Sequence, residues 1–203
     1  MTDVRPGEPP HRPAPRQPRK LFLLVGVVLA TALGVGLFTS VGTNQNSNGA
    51  PHVGGPVPSF SASSLTGPGP VSVPADGGGN GRPAVLLFFG NWCASCHAEL
   101  PPLAAAVRRQ EAAGGALSTI HVIGVDSLDT ASVARSFVKN CGVTFPVAYD
   151  PNVAITSGAF YFDGDPYAVF VNGDGTINRI VRGATLTAAA FLADEKALIP
   201  SGS

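Results

Sequence analysis

The chain holds 203 residues, 44% of them hydrophobic and 13% charged, with 13 basic residues against 13 acidic ones. That length suits one ordinary domain with attachments. The low charged fraction excludes a charge-rich disordered protein, and zero net charge excludes a general nucleic-acid footprint. Three cysteines are too few for a disulfide-stapled miniprotein.

Residues 1–20 form a Pro-rich tail carrying Arg5, Arg12, Arg16, Arg19 and Lys20 against Asp3 and Glu8. Its six prolines remove backbone donors, so the composition predicts an extended, disordered segment. Residues 21–41 then run from Leu21 to Val41 without a charge. About 20 apolar residues at 1.5 Å rise cross the ~30 Å hydrocarbon core, which predicts a single transmembrane helix. The basic cluster lies directly before it, so the positive-inside rule keeps the tail cytoplasmic and exports everything after Val41. A cleaved signal peptide competes with this reading, but no clear A-x-A site follows the run, and an uncleaved anchor is favoured. Residues 42–56 are small and polar and read as a linker to a domain at 57–199. The exported part carries eight basic and eleven acidic residues.

Within that domain the pattern alternates between strand and helix. Pro83 to Gly90 is a continuous apolar run of the kind buried on both faces of a sheet. Ala94 to Ala113 has helical composition, with Leu100, Leu103, Ala104 and Val107 as its apolar stripe and Gly114-Gly115 as its stop. Thr119 to Val125 predicts a second buried strand, and Asp129 or Thr130 caps a helix through Asn140 with Val133, Phe137 and Val138 inward. Phe145 to Tyr149 and Tyr167 to Val171 predict strands. Asn172-Gly173-Asp174-Gly175 turns the second of these into Thr176 to Val181 as a hairpin. Thr187 caps a last helix. The order βαβαβ then ββα predicts an α/β domain with a central mixed sheet flanked by helices, the thioredoxin order.

The chemistry gathers where the first buried strand meets its helix. Cys93 and Cys96 form a CxxC motif after Trp92, and two intervening residues on a first helical turn allow a small-ring disulfide. Free N–H groups and the helix dipole favour a thiolate at Cys93, while Cys96, one turn further in, suits the resolving role. Zinc would need two more ligands, and no second CxxC or Cys/His pair at ligand spacing supplies them. A permanent structural bridge would not need an exposed elbow.

The sequence resembles the membrane-anchored, extracytoplasmic thioredoxin-like thiol–disulfide oxidoreductases of cytochrome c maturation, related to the alkyl hydroperoxide reductase/thiol-specific antioxidant superfamily. The likeness spans residues 56–198. It rests on Pro58-Ser59-Phe60 with Leu65-Thr66-Gly67, matching that branch's N-terminal strand pair, and on Phe89 to Cys96 followed by Glu99 and Pro101. Phe145-Pro146-Val147, Asp150-Pro151 and Asp165-Pro166 complete it.

The resemblance implies that Pro166 is a cis-proline facing the CxxC, where a substrate strand could pair, and that Trp92 shapes the same groove. It implies that Glu99 adjusts cysteine acidity or relays protons, the alternative being an ordinary first-turn carboxylate. Pro101 is expected to kink the helix. Two departures stand out. Leu87 occupies the place of the buried aspartate of general thioredoxins, and Asp165 precedes the cis-proline where a small or uncharged residue is usual. An ionised Asp165 near Cys93 would disfavour the thiolate and make the protein less oxidising.

Cys141 reads as a buried inert thiol, with an intermolecular disulfide as the alternative. His97 reads as solvent-facing and His121 as structural. The expected activity is disulfide exchange with exported cysteine-containing proteins, foremost reduction of apocytochrome c, with no cofactor beyond the redox-active pair. A separate membrane thiol donor would supply electrons, because the apolar run carries no cysteine. The rivals are an oxidant of exported proteins and a Cu(I) chaperone using both thiolates with His97 or His121. Against the last stands Met1 as the sole methionine. A peroxidase is the weakest alternative.

Overall fold

The computed structural model describes residues 49–73, 81–183 and 186–199. The tail, the expected membrane span and residues 42–48 of the expected linker lie outside these residues. Among the described residues no helix is long and apolar enough to cross a membrane.

The sheet is built around β3 (Ala84–Phe89), whose six residues are all buried. Such a strand needs partners on both edges and cover on both faces. It pairs in parallel with β4 (His121–Ser127) and antiparallel with β6 (Tyr167–Val171). Outside these lie β5 (Val147–Asp150), parallel to β4, and β7 (Ile177–Arg182), antiparallel to β6, giving the order β5-β4-β3-β6-β7. A separate hairpin pairs β1 (Phe60–Ser63) with β2 (Pro70–Val73). Its second strand therefore begins beyond the Leu65-Thr66-Gly67 stretch, which forms the connection instead.

Three helices follow their strands: α1 (Ala94–Ala113), α2 (Ala131–Asn140) and α3 (Ala188–Lys196). Both parallel crossovers step the same way across the sheet, so α1 and α2 share one face, packed on Val85, Leu87 and Phe89. Phe191 of α3 joins that cluster. The other face, with Leu86 and Phe88, is closed by Val71 and Val73 of β2 and by Phe160 and Phe162. The two phenylalanines follow a π-helical turn at Ala154–Ala159 that no sequence signal announced. Gly54 and Gly55, at the end of the stretch read as linker, and Val57, the first residue of the expected domain, exchange backbone hydrogen bonds with Gly175 and Ile177 and so protect the β7 edge.

Several boundaries move for local reasons. β4 starts two residues later than expected because Ala116–Thr119 coils into a 3₁₀ turn. β5 starts after Pro146, which has no N–H to give the ladder. Val133 is exposed rather than inward; Ala134, Phe137, Val138 and Cys141 form the buried stripe of α2 at the i, i+3, i+4, i+7 spacing. The first helix runs unbroken through Pro101 and Pro102 and stops at Gly114, whose φ of 67° favours glycine.

α3 is clasped to α1 by a polar pair inside the core. Gln110 Nε2 donates to Glu195 Oε2 at 2.5 Å, while Glu195 Oε1 is buried without a partner. Burial pushes the Glu195 carboxyl up to about 7, the Gln110 bond opposing only in part. The folded state thus favours the neutral acid, and its stabilising effect is fully present below the unfolded value and lost as pH rises through 7. Glu195→Gln is expected to leave the melting temperature at pH 4 nearly unchanged. At pH 8 it should stabilise the fold by about 2–3 kcal/mol. Equal differences at both pH values in thermal denaturation would refute the assignment.

Candidate functional site

Three loops meet at the carboxyl ends of β3 and β4. The first, Gly90 to Trp92, ends in Cys93, which serves as N-cap of α1 in extended backbone conformation (φ −84°, ψ 106°). Its Sγ takes the place an Asp or Ser oxygen usually fills, accepting the Cys96 N–H at 3.2 Å. Cys93 and Cys96 are joined as a disulfide with Cα atoms 5.3 Å apart. Cys93 keeps 4% of its surface exposed and Cys96 only 1%. The sulfurs are thus less open than the sequence suggested, and only Cys93 offers an approach. Trp92 beside them is 47% exposed.

The second loop follows β4. Asp129 Oδ2 accepts the Asn91 N–H at 2.6 Å, and the Ser127 carbonyl accepts the Trp92 indole N–H at 2.9 Å. Leu128 between them is held at φ 61°, a conformation that costs a leucine about 1–2 kcal/mol, with its side chain largely exposed. The third loop carries the Asp165-Pro166 peptide, which is cis. Ser127 Oγ donates to Asp165 Oδ2 at 2.6 Å. Ser127 therefore links the active-site tryptophan on one side to the proline loop on the other. His97 is exposed but engaged: its Nε2 lies 2.7 Å from the Asn91 carbonyl and its ring packs on Phe137.

Cys96, Glu99 and Pro166 line one small pocket between α1 and the proline loop, with about 20 Å³ of room, enough for one water. Glu99 is half-buried there, and burial raises its carboxyl above the usual range. Asp165 is pushed up to about 6, chiefly by burial, with the Ser127 bond opposing and Asp150 and Asp129 adding like charge. Its Oδ1 is buried and unpartnered. The acids Asp129, Asp165 and Glu99 thus belong to the loops and the pocket that frame this corner.

The structure brings Trp92, Cys93, Cys96, Glu99, Asp165 and Pro166 to one corner. Cys141 stands apart as a buried free thiol at the end of α2, its acidity lowered by burial. His121 sits in β4, where burial and Arg82 lower its basicity. Among the described residues, no three His, Cys, Asp or Glu side chains are grouped to hold a metal. Sequence reasoning missed Ser127 and Asp129, and with them Asp126. The available signal was a polar Asp-Ser…Asp close to a buried apolar strand.

A family model described as the AhpC/TSA family matches residues 53–180. The chain belongs to that family. It is 25% identical over 170 residues to the thiol-disulfide oxidoreductase ResA of Bacillus subtilis, covering 83% of this chain and 88% of ResA. It is 26% identical over 167 residues to the thiol:disulfide interchange protein DsbE of Escherichia coli K12, covering 78% and 83%. The structure of MTB DsbF in mixed oxidised and reduced forms superposes with a TM-score of 0.57 at 25% identity, covering 69% of this chain and 95% of DsbF. With these neighbours the mixed sheet and its helices are a thioredoxin-like fold. The CxxC disulfide makes the chain a thiol–disulfide oxidoreductase of the ResA/DsbE type.

Gly90 is the point on which this corner closes. A Cβ there would collide with Trp92 Nε1 and come within 2.8 Å of the Ser127 carbonyl. Gly90→Ala should expel the indole and destabilise the fold by about 1–3 kcal/mol. Trp92 is the only tryptophan, so its emission should shift to the red. An unchanged spectrum would show that the indole does not depend on this seat.

Proposed function

We propose that the protein works outside the cytoplasm as a reductant of exported cysteine-containing proteins, apocytochrome c first among them. In this reading residues 21–41 anchor it in the membrane, and a separate membrane thiol donor re-reduces it. The basic tail before an uncharged run of 21 residues supports that topology.

The exchange follows from the geometry of the pair. In the reduced protein, Cys93 as thiolate would accept the Cys96 N–H in a charge-assisted bond. It attacks one sulfur of a client disulfide, forming a mixed disulfide and releasing the other client sulfur as thiolate. Cys96, enclosed but three residues away on the same turn, then attacks Cys93 Sγ. That frees the second client thiol and returns the Cys93–Cys96 bond. The exposed Trp92 and Leu128 offer apolar surface to the client segment, and the cis-proline loop offers backbone groups for strand pairing.

The observation that favours reduction is the acidic setting. Asp129 holds the Asn91 N–H two residues before Cys93, Asp165 precedes the cis-proline and Glu99 lines a pocket with Cys96, and negative charge opposes a thiolate. A thiolate-stabilised reduced form makes an oxidant, so its opposite makes a reductant. The midpoint potential should fall nearer the roughly −270 mV of a reducing thioredoxin than the roughly −120 mV of a strong periplasmic oxidant. Asp165→Asn should move it upward by about 10–40 mV, since 30 mV corresponds to ~1.4 kcal/mol for two electrons. Equilibration in thiol–disulfide buffers reads both numbers. A wild-type midpoint near the oxidant's value would establish the protein as a disulfide-forming enzyme instead.

A further inference from the structure

Asp126, the penultimate residue of β4, is fully buried, and neither of its carboxyl oxygens has a hydrogen-bond partner. An unpartnered buried carboxyl opposes folding, so its retention calls for a role. Its register partners are Phe89 on β3 and Tyr149 on β5. It therefore shares the sheet face of Phe89, which packs in one cluster with Cys93 and Cys96. The residue after it holds the Trp92 indole, and Asp129 holds the Asn91 N–H. The carboxyl thus lies one strand over from the end of β3, on the face that carries the disulfide.

Asp129 and Asp165 act on it directly, and each neighbouring element carries further titratable groups. Asp129 follows β4 and Asp165 precedes β6, and both add like charge to the effect of burial, which together push Asp126 up to about 8. From β5, the Tyr149 hydroxyl donates to the Asp129 carbonyl. On α1, His97 is tied to the Asn91 carbonyl and Glu99 lines the pocket beside Cys96. On α2, the Arg135 guanidinium donates to the Leu65 carbonyl, and Lys139 stands in the last turn.

We propose, building on the redox reading of the CxxC pair, that Asp126 is the proton donor of the couple, lending one proton to it on reduction and recovering it afterwards. A thiolate of a partner dithiol attacks Cys93 Sγ and forms a new S–S bond. The Cys93–Cys96 bond breaks, and its electron pair goes to Cys96 Sγ. That sulfur, nearly closed to solvent, receives the proton of Asp126. The partner's second thiolate then displaces Cys93, leaving the partner oxidised. The two protons given up by the partner dithiol restore Asp126 and protonate Cys93, so the sum is two electrons and two protons passed to the pair.

The test compares alkylation rate against pH for the reduced full-length wild type and Asp126→Asn. The curves should coincide below pH 7, where Asp126 is neutral, and separate above pH 8. There the variant should react about threefold faster, because ionised Asp126 holds back the wild-type thiolate. Superimposable curves would overturn the proposal. A second measurement needs no variant: carboxyl NMR of ¹³C-aspartate wild type should show one group titrating near pH 8 when oxidised, its midpoint moved by half a unit or more on reduction. An unmoved midpoint would equally overturn it. Whether a small dithiol reduces the wild-type disulfide at all tests the underlying redox reading separately.

Discussion

The site depends on one contact, the Cys96 N–H directed at Cys93 Sγ across the first turn of α1. It exists because a strand buried on both sides ends at Phe89 and a helix starts five residues on, with a sulfur as its cap. A helix start leaves free N–H groups that need acceptors. Filling that need with a cysteine makes the helix end and the redox centre one object. Both cysteines are buried on this turn, the capping one keeping 4% of its surface exposed and its partner 1%, the asymmetry on which the proposed division of labour rests.

Around this contact the protein places acids rather than cations. Asp129 and Asp165 are part of the scaffold, one holding the Asn91 N–H and the other bonded to Ser127. Glu99 and Asp126 are held among apolar groups that favour their neutral forms. Helix cap and acids pull the thiolate in opposite directions. In the proposed reading this balance sets how readily the pair gives up electrons, which brings the loops after β4 and before β6 into the chemistry.

Much of this was legible in the sequence. The all-apolar run before Trp92, the helix ending at Gly114 and the Asn172–Gly175 turn each carry a strong local signal, and their elements fall where those signals put them. Pro166 could be named only through a family likeness, since nothing in an Asp-Pro pair by itself specifies its isomer. The π turn at Ala154–Ala159 has no composition of its own, and Val133 was placed inward by a stripe drawn one residue off. What Ser127 and Asp129 hold was illegible because their partners, Trp92, Asp165 and Asn91, lie at least 35 residues away in the chain. Asp126 adjoined an apolar strand in plain view, but whether it faced solvent, a partner or neither is decided only by tertiary packing.

In the proposed exchange Cys93 is the sulfur that meets the client, while Cys96 resolves. Trapping with a disulfide-containing peptide, followed by mass spectrometry of each single-cysteine variant, addresses this directly. Cys96→Ser should accumulate a stable mixed disulfide on Cys93, and Cys93→Ser should accumulate none at Cys96 or Cys141. Equal adduct formation on Cys96, or adducts confined to Cys141, would contradict it.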